Sequence, residues 1–440
     1  MYAMYAVYNV LLLLGAVVLV PYYTLRILST GKYRKSIGPK LGFVPETVYG
    51  EMKGNPRVWI HAVSVGEVTA AAPVVASLRD LLPEACLVVS TSTETGQEMA
   101  RRIIPEATSY IYYPLDIPFV VRKVVGRVKP DVFVLVETEL WPNFIRLCKD
   151  AGAKIVMVNG RMSPRSFKRY RGTRFFWKKV LAMVDGIGVI SETDAQRLHA
   201  VGVHRSRIQV LGNAKFDGLA ARVDERLKEE ISEELGLRGD ERVFVAGSTH
   251  EGEEDAVLRV YKRLLERHPD FKLVIVPRHV ERGGEVLNLV RKYGFEDVVS
   301  MSDIKKGQRP HGERVTVVDV IGELFKVYSL ATVVFCGGSL VPRGGQNILE
   351  AAAWGKVVFY GPSMDDFRDE TALLEGVGAG ITVKDEEELY AGIVLMLTSP
   401  EKLTESGKAG RRAVAANKGA SKRYADMIKD VLANRTLRRG

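Results

Sequence analysis

Short runs of β-branched and other apolar residues alternate with longer amphipathic stretches along most of this chain. Val58–Val63, Leu87–Ser90, Val132–Val136, Ile155–Val158 and Ile187–Ile190 are almost continuously apolar rather than alternating. That pattern predicts strands covered by helices on both faces. The first half therefore reads as a doubly wound parallel sheet. After Asp217 a charged helical stretch, Glu225 to Gly236, leads into a second series at Val243–Val245, Leu273–Val276, Val315–Val318, Val333–Phe335 and Val357–Phe359. Two similar α/β halves thus meet near residues 215–225, with no sequence repeat between them and no low-complexity tract. Such sheets bind ligands beyond the carboxyl ends of their strands, so a two-lobed pair is expected to bind between the lobes.

The pattern departs from this alternation at the N-terminus. Residues 1–25 carry no charge, and Val7 to Val20 is almost wholly apolar, about the length that spans a bilayer as a helix. Arg26, Lys32, Arg34, Lys35 and Lys40 follow it, and Tyr22 and Tyr23 stand where an interfacial belt would be. The excess of following positive charge predicts a membrane anchor with the body of the chain on the cytoplasmic side. A cleaved signal peptide fits less well, because no basic region precedes the run and the nearest small-x-small stretch, Ser29–Gly31, lies beyond Arg26.

At 440 residues the length accommodates two domains or three, and 46% hydrophobic with 26% charged residues is globular composition. Three widely spaced cysteines, Cys86, Cys148 and Cys336, form neither a disulfide scaffold nor a four-ligand zinc site. The net charge of +10 favours an anionic partner. Much of it is concentrated between Arg161 and Lys179, where nineteen positions hold eight basic residues, among them Arg161, Arg165, Lys168, Arg169, Arg171 and Arg174, with five aromatics and no acid. This segment suits an anionic lipid surface. It suits RNA equally, and a solvated helix face with its aromatics turned into the core is the third reading.

Candidate chemistry lies after the strands. Ser64-Val65-Gly66-Glu67 follows the first, placing Glu67 in a first helical turn. An acid there complements the helix dipole without any further role. The dipole lowers its pKa and burial raises it, so a general base is the functional alternative. Glu137-Thr138-Glu139 ends another strand, as polar ligands for sugar hydroxyls or as acid/base groups. Another strand-like run, Ile208–Leu211, ends in Gly212-Asn-Ala-Lys-Phe-Asp217, so Lys215 stands at the expected hinge, where a cation can meet a leaving phosphate or simply face solvent. In the second half Gly337-Gly338-Ser339-Leu340 follows a strand and Gly344-Gly345-Gln346-Asn347-Ile348-Leu349-Glu350 opens a helix, a pattern that frees backbone N–H groups for an anion. Asn347 and Glu350 also fit a capping box. Pro277-Arg278-His279 adds a cation at another strand end.

Several signatures are missing. The chain has no Walker A sequence, no GxGxxG after the first strand of either half and no Asp-x-Asp, and His199 and His204 are five apart, a poor spacing for zinc. A metal mechanism is not expected.

Five blocks in this order resemble the 3-deoxy-D-manno-oct-2-ulosonic acid (Kdo) transferases of lipopolysaccharide synthesis. They are His61-Ala-Val-Ser-Val-Gly-Glu67, Glu137-Thr-Glu-Leu-Trp-Pro142, Asn159-Gly-Arg-Met-Ser-x-Arg-Ser-Phe167, Gly212-Asn-x-Lys215-Phe-Asp217 and Gly344-Gly-x-Asn347-x-Leu-Glu350. The match extends to about residue 425. One departure is Gln346, where many members carry histidine, a local contact only.

The resemblance implies a GT-B glycosyltransferase with two Rossmann-like lobes: an anchor at 1–25, an acceptor-binding lobe at 26–218, a CMP-sugar lobe at 219–425 and a basic tail at 426–440. It implies Glu67 as general base, Glu137 and Lys215 as transition-state stabilisers, and an inverting transfer. Pro277, Arg278, the Gly322-Glu323-Leu324 turn and Asn347, Ile348, Leu349 and Glu350 would hold CMP. The implied partners are CMP-Kdo, a lipid A precursor and the inner membrane, with no nucleic acid, cofactor or metal. Two other readings are a GT-B enzyme with a different nucleotide sugar, and a non-catalytic anchored binder of anionic lipid or RNA.

Overall fold

A computed structural model of the chain describes residues 4–17, 34–238 and 241–436. Two compact units divide between Gly218 and Leu219. The first is built on strands β1 (Arg57–His61), β2 (Cys86–Thr91), β3 (Ser109–Tyr112), β4 (Val132–Val136), β5 (Lys154–Gly160), β6 (Gly186–Val189) and β7 (Ile208–Val210). They form one sheet in the order β3-β2-β1-β4-β5-β6-β7, every pair parallel. The second unit repeats the architecture with β8 (Val243–Thr249), β9 (Lys272–Pro277), β10 (Val298–Ser300), β11 (Val315–Val317), β12 (Val333–Cys336), β13 (Val358–Tyr360) and β14 (Gly380–Thr382), in the order β10-β11-β9-β8-β12-β13-β14, again all parallel.

The register explains the continuous apolar runs. Trp59 pairs with Val88 and Phe133 and joins the core on one face of the first sheet, whereas Val58 and Ile60 join the core on the other. Successive side chains point to opposite faces, and both faces are covered. In the second sheet Phe244, Ala246, Leu273, Ile275, Val333 and Phe335 make the corresponding core of one face. The strands absent from the sequence pattern, β3, β10 and β14, are short edge strands with one neighbour each, so their sequences carry less apolar periodicity.

The C-terminus differs from the expected division at 425. The first unit resumes at Lys418, and the helix Ala420–Thr436 packs onto its sheet, burying Ala420, Tyr424, Ala425, Met427 and Ile428 beside Val156 and Val158. A side chain at Gly188 would collide with Tyr424, its Cβ falling 2.6 Å from the ring. Asp217 fixes the start of this helix by accepting from the Gly419 and Ser421 N–H groups at 2.5 and 2.6 Å. The segment from 426 to 436 is thus a packed helix, not a tail, and residues 437–440 lie outside the described residues.

Of the expected anchor, 1–3 and 18–25 also lie outside the described residues. Residues 4–17 form a helix in the first unit. Among the described residues no helix is long and apolar enough to cross a membrane.

Candidate active site

Glu67 is placed by the turn that follows β1. Ser64 caps the helix Val65–Leu81, its Oγ accepting from the Glu67 N–H at 3.5 Å and donating to Glu67 Oε1 at 3.0 Å, while Glu67 Oε2 accepts from the Val63 N–H at 2.7 Å. Ser64-x-x-Glu67 has the sequence of a capping box, but the Glu67 carboxylate reaches back to the Val63 N–H, one residue before the cap, rather than to that of Ser64. The carboxyl is nonetheless buried. Burial pushes its pKa up to about 8, the Val63 N–H opposes this, and the Glu137 and Glu139 carboxylates add to it. Of the two opposing effects expected at this position, burial therefore prevails over the helix end.

Glu137 follows β4 in the left-handed region, φ 59°, its N–H bonded to Val158 O at 2.9 Å. A non-glycine residue there costs on the order of 1 kcal/mol. Its Oε1 lies 3.1 Å from Lys215 Nζ. Lys215 opens the helix Lys215–Arg222, where the dipole disfavours a cation. Its position is fixed from outside the helix. Asn213 Oδ1 accepts from the Lys215 N–H at 3.0 Å, and Asn159 Oδ1 from the Ala214 N–H at 2.9 Å. Glu139 completes the group, its pKa raised by burial and by Glu137. The fold thus gathers Glu67, Glu137, Glu139 and Lys215 at the carboxyl end of one sheet, with one ammonium among three acids.

Two further residues there escaped the sequence reading. His61 is fully buried and stacked on Tyr113, centroids 3.6 Å apart, with Nδ1 3.1 Å from Ser90 O. Burial holds its pKa down at about 3, so it is neutral. The signal for His61 was a polar residue inside an apolar strand, and Tyr113 follows a strand that the pattern missed.

The basic segment forms two helices, Pro164–Gly172 and Arg174–Leu181. Phe167, Tyr170, Phe176 and Trp177 pack against the core, while Arg165, Lys168, Arg169, Arg171, Arg174 and Phe175 are exposed and Arg161 is half-buried. The turned-in aromatics match the solvated-face reading, and the outer surface is a cluster of cations.

In the second unit the Gly337–Leu340 loop holds an anion of its own. Glu253, buried at the start of the helix Glu253–Arg267, accepts through Oε2 from the His250 and Gly338 N–H groups at 2.9 and 2.7 Å, and through Oε1 from those of Ser339 and Leu340 at 3.0 and 2.9 Å. These donors are therefore filled from within. The expected helix at Gly344 begins only at Leu349, and Asn347 Oδ1 accepts from the Leu349 N–H at 3.2 Å while its Nδ2 reaches Glu350 Oε1 at 3.5 Å. Burial raises the Glu350 pKa and Arg222 opposes it. Ile348 and Leu349 are buried, so their side chains serve the core.

Pro277 ends β9, and Arg278 is exposed, its N–H bonded to Thr249 O at 2.9 Å. Gly322 turns at φ 98°, and Glu323, just before Leu324 opens its helix, is paired with Lys305 at 2.6 Å and Lys326 at 3.2 Å. Ser248 and His250 were missed. Ser248 has φ 55° at the end of β8, and the His250 ring lies 5.8 Å from that of His279. The His250 pKa is lowered first by burial, with Glu253 opposing and Arg343, His279 and Arg278 lowering it further. Cationic groups thus converge on this strand end, an environment that favours an anionic ligand. The residues Gly247-Ser248-Thr249-His250 directly after an apolar run were the available signal.

Residues 35–218 match the family model described as 3-deoxy-D-manno-octulosonic-acid transferase. The chain is 29% identical to the 3-deoxy-D-manno-octulosonic acid transferase of Haemophilus influenzae over 428 residues, 97% of this chain and 98% of that protein. It is 32% identical to the Chlamydophila psittaci transferase of the same name over 374 residues, 84% and 83% of the two chains. A solved glycosyltransferase from Rickettsia africae has the same fold, with a TM-score of 0.58 at 15% identity over 86% of this chain and 100% of that one.

Proposed function

Because the chain belongs to the 3-deoxy-D-manno-octulosonic acid (Kdo) transferase family, and is accordingly a glycosyltransferase, we propose that it moves Kdo from CMP-Kdo to a lipid A precursor, lipid IVA, with inversion and without a metal. Glu67 is the general base. Its carboxylate takes the proton of the acceptor hydroxyl, the freed oxygen pair bonds to the anomeric carbon of Kdo, and the bond from that carbon to the phosphate oxygen breaks on the opposite side to release CMP. Lys215 offsets charge on the departing phosphate, and Glu137 holds the ammonium in place.

One observation carries this reading: a buried carboxyl with a pKa near 8 beside a carboxylate–ammonium pair. A base titrating close to working pH is matched to proton abstraction. CMP binds the second unit, through Arg278, Pro277, the Gly322–Leu324 turn and the Asn347–Glu350 segment, with His250 and Arg343 added. The acceptor binds the first unit. Residues 1–25 attach the enzyme to the inner membrane with both units on its cytoplasmic side, and the cations of 161–174 meet the phosphates of the acceptor and surrounding headgroups.

The test is incubation of the purified protein with CMP-Kdo and lipid IVA, followed by mass spectrometry. The expected result is a lipid heavier by Kdo together with free CMP. Transfer from a UDP-sugar instead would overturn the donor assignment.

A further inference from the structure

The helix over residues 4–17 has two faces of different chemistry. Val7, Val10, Leu11, Leu13, Leu14 and Val17 are exposed. Tyr5, Tyr8 and Asn9 face the first unit, and their bonds converge on one place. Tyr5 Oη donates to the Pro142 carbonyl at 3.2 Å, Tyr8 Oη to Asp116 Oδ2 at 2.8 Å, and Asn9 Oδ1 accepts from Asn143 Nδ2 at 2.7 Å. Asp116, itself buried, also accepts from the Asn143 and Phe144 N–H groups at 3.1 and 2.7 Å, capping the helix Pro142–Asp150. Only Leu140 and Trp141 separate that helix from Glu139.

These bonds exclude a single crossing of the bilayer. Tyr5 is bound to the same unit that the chain builds from Arg34 onward, so the beginning of the apolar segment and the unit that follows it stand on one side.

We propose that this helix lies in the membrane plane, its apolar face in lipid and its polar face clamped to the start of the Pro142–Asp150 helix, and that Tyr5 and Tyr8 thereby act as positioning residues for the Glu137–Glu139 loop. An amphipathic helix beside cations is the form that binds an anionic bilayer surface. Continuity with the basic segment is direct, since the Tyr5 and Tyr8 rings lie 6.5 and 5.8 Å from that of Phe176. The positioning role rests on the transferase reading above, whereas the clamp does not.

Tyr5→Phe/Tyr8→Phe removes both hydroxyls and keeps the rings. In detergent-solubilised full-length protein we expect amide exchange at Asn143 and Phe144 to quicken at least about tenfold, kcat for Kdo transfer to fall at least about threefold, and KM for CMP-Kdo to stay unchanged. Unchanged exchange overturns the clamp whatever the activity, and faster exchange with unchanged kcat overturns the positioning role. If the wild type transfers no Kdo, the transferase reading fails while exchange still decides the clamp. A protease-cleavable tag ahead of Met1 decides orientation: cleavage in inside-out vesicles is expected, and cleavage in spheroplasts overturns the in-plane helix.

Discussion

Lys215 Nζ lies 3.1 Å from Glu137 Oε1, although both residues occupy positions that their local backbone disfavours. Glu137 is left-handed without being glycine, and Lys215 sets a positive charge at the positive end of a helix. Both are held by bonds from distant strands, Glu137 by its N–H bond to Val158 and the Lys215 turn by the Asn159–Ala214 contact, with Asn213 adding a local bond to the Lys215 N–H. Retained strain of this kind is characteristic of functional sites.

Lys215→Ala is expected to lower kcat by about 10²-fold or more, the usual cost of losing one preorganised charge stabiliser. CMP affinity, measured by calorimetry, stays within about twofold. Turnover near wild type would remove Lys215 from the mechanism.

Glu67→Gln is expected to cost about 10²–10⁴ in kcat. The wild-type rate, limited by ionisation of a base with a pKa near 8, rises with pH up to that value and levels above it. Stability runs the other way. Because the folded pKa is raised, the favourable contribution is complete below the ordinary carboxyl range and is lost as pH rises through about 8. The Tm of Glu67→Gln relative to wild type should therefore increase between pH 6 and 9, and a flat difference would contradict the raised pKa.

Glu253→Gln tests the filled nest. Both carboxylate oxygens accept two N–H groups each, so an amide must point its own NH₂ at two donors whichever way it turns. A loss of at least about 2 kcal/mol is expected from the stranded donors. Denaturant unfolding measures it, and unchanged stability would show that the loop re-forms its bonds elsewhere.

Neutralising Arg165, Lys168, Arg169 and Arg171 together should raise KM for the lipid acceptor and weaken its salt dependence, since exposed charges are screened over about 8 Å at physiological ionic strength. CMP affinity should not change. Loss of CMP binding with unaltered acceptor kinetics would place the patch at the donor site.

Chelation by EDTA should leave Kdo transfer intact, because the proposed mechanism assigns charge stabilisation to Lys215 and uses no metal. Activity abolished by EDTA and restored by Mg²⁺ would refute this assignment.

The sequence by itself determined the two parallel-sheet units, because strands buried on both faces must be apolar at successive positions, as Val58, Trp59 and Ile60 are. It also placed Glu67, Glu137 and Lys215 after strand ends, where ligand chemistry in such sheets belongs. Tertiary structure decided what local pattern does not encode. Whether Glu67 is a dipole-lowered cap or a raised base depends on burial by distant residues, and burial prevails. Whether the Gly337–Leu340 donors are open depends on Glu253, more than eighty residues earlier in the chain. The helix from Ala420 returns to the first unit because Tyr424 and Ile428 complete a core laid down by β1, β4 and β5, and Tyr8 finds Asp116 only once the chain has folded between them. Period and motif are properties of neighbours in sequence, whereas desolvation and long-range hydrogen bonds are properties of neighbours in space.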